Sequence, residues 1–150
     1  MTGHDVDAFA KEISDLHDFF EAWFEGDNSR SITEFSDRLD AGFSIVTPNG
    51  ARLGKAAIMD AVETRFGSGR IRIATVDARL NAENPGSDVD GDTIDGSYVE
   101  VQTTRTGSTR RHSEVTMALD STVPTGYRWI RVVETWLDSE DSQAARSLRR

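Results

Sequence analysis

The sequence predicts an α+β domain in which helices cover one face of an antiparallel sheet. Segments with helical spacing of apolar residues occupy the first half of the chain, whereas the region after residue 70 is rich in β-branched residues and turn signals. The chain of 150 residues fits a single domain, since about 100–200 residues is the usual size. We expect residues 8–138 to form its core and residues 139–150 to form a polar tail.

Three helices are predicted in the N-terminal half. Over 7–25, apolar residues recur every three or four positions, which is typical of an amphipathic helix, and Gly26 ends it. A second helix is predicted over 30–39 and a third over 55–66, which Gly67 caps. Between these two, residues 43–47 alternate as a strand does, before a turn at 48–50.

Four long strands are predicted after the helices, over 71–80, 93–106, 109–119 and 127–137. A two-residue hairpin turn at Gly107-Ser108 would place Glu100 opposite Val115.

The next loop would pair Asp120 with Tyr127. That register places Ser113 opposite Glu134 and therefore sets the relation between the last two strands.

One face of this sheet is expected to form a pocket wall. Side chains alternate along strands, so that face is apolar and aromatic with a few polar groups, the usual composition of a small-molecule site. Its members are Tyr98, Glu100, Gln102, Ser113, Val115, Met117, Ile130, Val132, Glu134 and Trp136. The opposite face includes Trp129, Arg131 and Glu114, and the last two fit a dimer contact between sheets.

Composition excludes several classes of function. There are 26 acidic and 17 basic residues, and the net charge of −9 disfavours binding to nucleic acid or to an anionic membrane. Only Lys11 and Lys55 are lysines, which indicates either a salt-adapted surface or codon bias. No cysteine is present, and no targeting or membrane-spanning segment is found, so the expected compartment is the cytoplasm.

Three segments resemble the nuclear-transport-factor-2-like (NTF2-like) superfamily, particularly its SnoaL-like and ketosteroid-isomerase-like branches. They are LHDFFEAWFEG at 16–26, FSIVTPNG at 43–50 and WIRVVETWL at 129–137. The resemblance implies a cone in which a bent sheet wraps around three helices, with a pocket between the first helix and the concave face and a homodimer formed through the sheet. Ketosteroid isomerases use a tyrosine on the first helix, where this chain has His17 and no tyrosine.

The candidate acid–base residues are Glu134, Glu100 and His17. Two strands separate the carboxylates, which puts their backbones roughly 10 Å apart. Burial beside apolar groups raises the proton affinity of a carboxylate, which suits proton transfer near neutral pH. His17 lies about 60° from the centre of the apolar arc of its helix, at the edge of the buried face. The two carboxylates also have a purely structural interpretation, in which they accept hydrogen bonds from the backbone or a tyrosine or pair with an arginine. The structural alternative for His17 is that it only packs or bonds Glu21 one turn further on.

The remaining predicted binding residues are Tyr98, Phe20, Met117 and Trp136. No metal-ligand spacing and no phosphate-binding loop is found, so neither a metal nor a cofactor is predicted. Two functions stay open on the sequence alone. One is a pocket for a small apolar organic molecule, with acid–base catalysis of the isomerase or cyclase kind. The other is a non-catalytic binding module or a dimerising association module.

Overall fold

The computed structural model describes residues 6–84, with 81–84 in backbone only, together with residues 93–123 and 126–137. Its helices are α1 (Val6–Glu25), α2 (Thr33–Ser36) and α3 (Lys55–Glu63). Its strands are β1 (Leu39–Val46), β2 (Arg52–Gly54), β3 (Arg72–Asn84), β4 (Thr93–Thr104), β5 (Gly107–Leu119) and β6 (Tyr127–Trp136). A turn-rich segment is predicted at 84–91, of which 85–91 lie outside the described residues, as does the predicted tail at 139–150.

Helix α1 forms because Phe9, Ile13, Leu16 and Phe19 recur at helical spacing, and all four are buried. It ends at Gly26, whose φ of 89° is a conformation that side-chain-bearing residues rarely adopt. The Gly26 N–H donates to the Trp23 carbonyl, and the next N–H donates to the carbonyl of residue 22. These two bonds form a Schellman cap, as the sequence predicts for this position.

The second helix is much shorter than the predicted span of 30–39. Only Thr33–Ser36 is helical, and strand β1 already begins at Leu39. Phe35 alone within this helix is buried, so one turn is sufficient to place its ring in the core. The backbone then extends, because Leu39 pairs with Trp129 of β6.

The six strands form one sheet in the order β2-β1-β6-β5-β4-β3. Every neighbouring pair is antiparallel except β1 and β6, which are parallel. Irregular register between Val76 and Arg79, together with a φ of 56° at Asp77, marks a bulge in the long β3–β4 pair. Bulges bend strands, and this sheet is strongly curled around α1.

The strand pairing in the hairpin between β4 and β5 is shifted by four residues from the predicted pairing. Thr104 pairs with Gly107, so the turn consists of Arg105 and Thr106 and does not contain Gly107-Ser108. Glu100 therefore lies opposite Arg111 instead of Val115. A shift by an even number keeps every side chain on the same face, so the predicted face of Glu100 is unaffected.

The predicted register between β5 and β6 is confirmed at Ser113, which pairs with Glu134. A bulge after Thr116 then moves the pairing by one residue. Tyr127 consequently pairs with Leu119 and not with Asp120. Trp129 turns to the inner face, where it is 1% exposed, although the alternation pattern placed it outside.

Candidate functional site

A cavity of about 300 Å³ lies between α1 and the concave face of the sheet. That volume is at the small end of the range of about 300–1,000 Å³ that is typical of small-molecule sites. Most of its lining is apolar. The lining comes mainly from α1, α3, β1 and the strands β4, β5 and β6. The inner end contains His17, Tyr98 and Glu100, which are all nearly inaccessible to solvent, whereas Ala61 and Arg65 are exposed and mark its open end.

His17 is buried on α1 with both ring nitrogens in contact with polar groups. Nδ1 lies 2.8 Å from the Ile13 carbonyl oxygen and Nε2 lies 3.1 Å from Glu100 Oε1. A carbonyl oxygen only accepts, so Nδ1 carries a hydrogen and donates it. The edges of Phe20 and Tyr98 enclose the ring, with centroids 5.4 Å and 5.5 Å from that of the imidazole. The orientation of this histidine is therefore fixed.

Glu100 has a partner on each carboxylate oxygen. Oε1 contacts His17, and Oε2 accepts a hydrogen bond of 2.5 Å from the Gln102 amide. Burial by itself raises the pKa of Glu100, but the His17 charge, these two hydrogen bonds and the charge of Arg111 outweigh it and lower the pKa to about 2. Burial likewise lowers the pKa of His17, while the charge and hydrogen bond of Glu100 and the Ile13 carbonyl raise it above its ordinary value. Below pH 6.5 the pair is therefore an imidazolium and a carboxylate.

Glu134 on β6 has a different environment. Its Oε1 accepts a hydrogen bond of 3.3 Å from Arg111, which is longer than a usual charge-assisted bond. Burial raises the pKa of Glu134, the Arg111 charge opposes this effect, and the Glu100 charge adds to it, so the pKa lies above its ordinary value. Glu134 is thus the stronger base of the two carboxylates.

Arg111 and Tyr98 complete the polar group. The Arg111 guanidinium lies 4.8 Å from the ring centroid of Trp136, and its Nε is buried without a hydrogen-bond partner among the described residues. Tyr98 is 2% exposed. Burial, with the charges of Glu100 and Glu134 beside it, holds the pKa of Tyr98 well above its ordinary value, so its hydroxyl stays protonated.

Five of the seven residues predicted for the site line this cavity. They are His17, Phe20, Tyr98, Glu100 and Glu134. Met117 does not line it, because it pairs with Trp129 and is fully buried in the core. Trp136 does not line it either, since its ring is 42% exposed at the end of β6 and its Nε1 donates to Asn49.

Two charged lining residues, Arg111 and Arg65, were missed by the sequence reasoning. Arg111 shares the parity of Ser113 in β5, so alternation already places it on the inner face. The misplaced hairpin turn obscured its pairing with Glu100. Arg65 follows α3, and no pattern in the sequence marks it.

Within the described residues, no cluster of three or more histidine, aspartate or glutamate side chains is arranged to hold a metal. None of the helices in the described part of the chain has the length and apolar character that a membrane crossing requires.

A curled sheet around an N-terminal helix, with a cavity on the concave side, defines the NTF2-like class of fold. An NTF2-like protein of unknown function from Pseudomonas aeruginosa matches with a TM-score of 0.72 and 29% identity, over 87% of this chain and 98% of that one. These findings support membership of the NTF2-like superfamily.

Two more distant structures share the fold alone. The CaMKII hub of S. rosetta has a TM-score of 0.65 and 14% identity, over 91% of this chain and 100% of that one. Aln2 from a Streptomyces species has a TM-score of 0.59 and 19% identity, over 93% and 95% of the two chains. No family model and no curated protein matches the sequence.

Proposed function

We propose that this protein binds a small apolar organic molecule in the cone cavity and transfers a proton to and from it. The observation that carries this proposal is the cavity of about 300 Å³, which has an apolar wall and a buried polar group at its inner end. A core that served only stability would fill such a space, because protein interiors are close-packed. The polar residues at the inner end then orient the ligand.

Glu134 is the base in this proposal. Glu100 is unsuited to the role, because its two oxygens contact His17 and Gln102 and its pKa of about 2 makes it a weak base. Glu134 has a raised pKa and contacts Arg111 through one long hydrogen bond. General bases work best when their pKa is close to the operating pH.

The reaction class is proton transfer beside a carbonyl group, as in an isomerase or cyclase. Glu134 removes a proton from the carbon next to the carbonyl, and the electron pair of the C–H bond moves to the carbonyl oxygen as an enolate. The Tyr98 hydroxyl donates a hydrogen bond to that oxygen, and Glu134 returns the proton to carbon. Glu100 and His17 fix the surroundings of Tyr98 and supply the charges that tune Glu134. Proton transfer of this kind is the chemistry that the resemblance to the SnoaL-like and ketosteroid-isomerase-like branches implies.

We further propose a homodimer through the outer face of the sheet. Arg131 of β6 and Glu114 of β5 are exposed on that face and carry opposite charges. Since a twofold axis presents the same patch from both subunits, each arginine can meet the glutamate of the other subunit.

The second candidate function is a binding or association module without catalysis. The Arg111–Glu134 ion pair favours it, because a carboxylate whose role is only to neutralise a buried arginine needs no substrate. The structural neighbour from S. rosetta is itself named as a hub.

Hydrogen–deuterium exchange of 2-tetralone in D₂O, followed by NMR, separates the two candidates. We expect the protein to accelerate exchange at the carbon next to the carbonyl, and Glu134→Gln to abolish the acceleration. Glu114→Gln makes the same chemical change on the outer face and should retain it. If the unaltered protein binds 2-tetralone in calorimetry without accelerating exchange, the module without catalysis is correct. If Ile45→Phe, which fills part of the cavity, leaves binding unchanged, the cavity is not the site.

A further inference from the structure

The charged residues that line the cavity are paired with one another, with one exception. His17 pairs with Glu100 at 3.1 Å, and Arg111 pairs with Glu134 at 3.3 Å. Arg65 is the remaining charged side chain of the lining, and it makes no ion pair within the described part of the chain. Among the described residues of the lining, it is therefore the one cationic side chain without an anionic partner, and it lies at the exposed end.

Hydrogen bonds at residues before and after Arg65 in the chain hold this segment in place. The Trp23 Nε1–H donates to the Val62 carbonyl at 2.8 Å, and the Gly67 N–H donates to the Trp23 carbonyl at 3.1 Å. These bonds tie the segment after α3 to the end of α1. The backbone of Arg65 thus has a fixed position relative to the cavity.

The Arg65 side chain is also ordered by a ring contact. Its guanidinium lies 4.8 Å from the centroid of Phe24, which lines the cavity too. A ring contact leaves the N–H donors of a guanidinium available to an oxygen ligand. Within the described residues, the Arg65 side chain has no hydrogen bond or ion pair besides this contact, so its donors are unoccupied there.

We propose that the ligand of the cavity is an organic acid, with its apolar body inside the cone and its carboxylate on Arg65. This inference rests on the proposed binding function and names the class of ligand. A carboxylate at the inner end would be a third negative charge beside Glu100 and Glu134. At the open end it keeps part of its hydration and gains a bidentate partner.

The test uses two probes of nearly the same shape, the anionic 2-naphthoate and the neutral 2-naphthamide, titrated by calorimetry. We expect naphthoate to bind more tightly than naphthamide. Arg65→Gln should weaken naphthoate about tenfold, since a hydrogen bond to a charged group contributes roughly that much, and should leave naphthamide unchanged. Arg72→Gln is the matched control, because Arg72 lies between the lining residues Ile71 and Ile73 but is exposed on the opposite face.

Each failure has a different meaning. If both probes bind equally and Arg65→Gln changes neither, the cavity binds apolar molecules and the inference about the carboxylate is wrong. If neither probe binds, or if Ile45→Phe leaves their binding intact, the cavity is not a binding site and the proposed function fails together with the inference. If Arg72→Gln weakens naphthoate as much as Arg65→Gln does, the effect comes from net charge, and the assignment to Arg65 is overturned.

Discussion

Nε2 of His17 lies 3.1 Å from Oε1 of Glu100, and both side chains are almost completely buried. One residue comes from α1 and the other from β4, 83 positions later in the chain. A buried ion pair gives little net stability compared with well-packed apolar residues, because desolvation of two charges offsets their attraction, whereas removal of one partner leaves the other charge buried and is costly. Its consequence here is electrostatic, since it fixes the charges next to Tyr98 and Glu134 at the inner end of the cavity.

We predict that the pKa of His17 lies above 6.5 in the unaltered protein and below 6.5 in Glu100→Gln. Burial is the largest influence on this imidazole, and it lowers the pKa once the Glu100 charge is removed. A titration of the histidine ring signals by NMR measures both values. Glu114→Gln, an exposed change of the same kind, should leave the His17 titration where it was.

The His17–Glu100 pair should stabilise the folded protein only within a limited pH range. The pKa of Glu100 is depressed from 4.5 to about 2. Its contribution to the free energy of unfolding is therefore present above pH 4.5 and is lost as the pH falls toward 2. The pKa of His17 is raised, so its contribution is complete below pH 6.5 and is lost as the pH rises through the value in the folded protein.

The difference in unfolding free energy between the unaltered protein and Glu100→Gln should therefore be largest between pH 4.5 and 6.5. The depressed pKa of Glu100 corresponds to about 3 kcal/mol, which sets the scale of the loss on the acid side. Urea unfolding across pH 3–8 gives the difference at each pH. A difference that stays constant over this range would show that the pair is not ionised in the folded protein.

The sequence was sufficient for the parts of the fold that depend on periodicity. Residues of α1 such as Phe9 and Ile13 recur at helical spacing, and alternation put Glu100 and Glu134 on the same inner face as Tyr98. The face of Glu100 is insensitive to the hairpin error, because a shift by four residues preserves parity. Local pattern therefore determined which side chains converge.

The remaining features of the fold and the site depend on long-range packing, which a local sequence pattern does not contain. The extra residue of β6 opposite Thr116 and Met117 reverses the alternation along β6, so Trp129 faces inward. Met117 is fully buried in the core and does not line the cavity. Whether a cavity is open depends on how closely α1, α3 and the sheet approach one another. That distance is a property of the tertiary packing of the domain. Arg65 becomes a lining residue only through that packing.

Arg111→Met should raise the pKa of Glu134 further. The Arg111 charge is the main influence that opposes burial of this carboxylate, so its removal leaves burial and the Glu100 charge opposed only by the smaller effect of the His17 charge. The carboxyl ¹³C shift of Glu134, followed against pH, measures the change, and Arg111→Lys should give an intermediate value. An unchanged titration of Glu134 in Arg111→Met would show that the 3.3 Å contact carries no electrostatic coupling.

Arg131→Glu should convert the proposed homodimer to a monomer. The substitution would place a glutamate against Glu114 of the second subunit, where like charges repel. Light scattering after size exclusion measures the mass in solution. Lys11→Glu gives the same change in charge on α1, away from the sheet, and should remain dimeric. A monomeric unaltered protein would refute the dimer itself.

Gly96→Ala should destabilise the fold, because Gly96 of β4 lies directly against Phe9 of α1 and the Arg79 backbone of β3. A Cβ at this position would lie 2.6 Å from the Arg79 carbonyl oxygen and even closer to the ring of Phe9. Overpacking of this kind costs about 1–3 kcal/mol, and we expect the upper part of that range because backbone as well as a side chain obstructs the methyl group.

Urea unfolding of Gly96→Ala tests this expectation against Gly42→Ala, where the nearest obstacle is the flexible carboxylate of Asp40 at 3.2 Å. The Gly42 variant should stay within about 0.5 kcal/mol of the unaltered protein. If Gly96→Ala is equally mild, α1 can move away from the sheet. The gap between α1 and the sheet, which defines the cavity, would then be adjustable, and larger ligands would fit than about 300 Å³ allows.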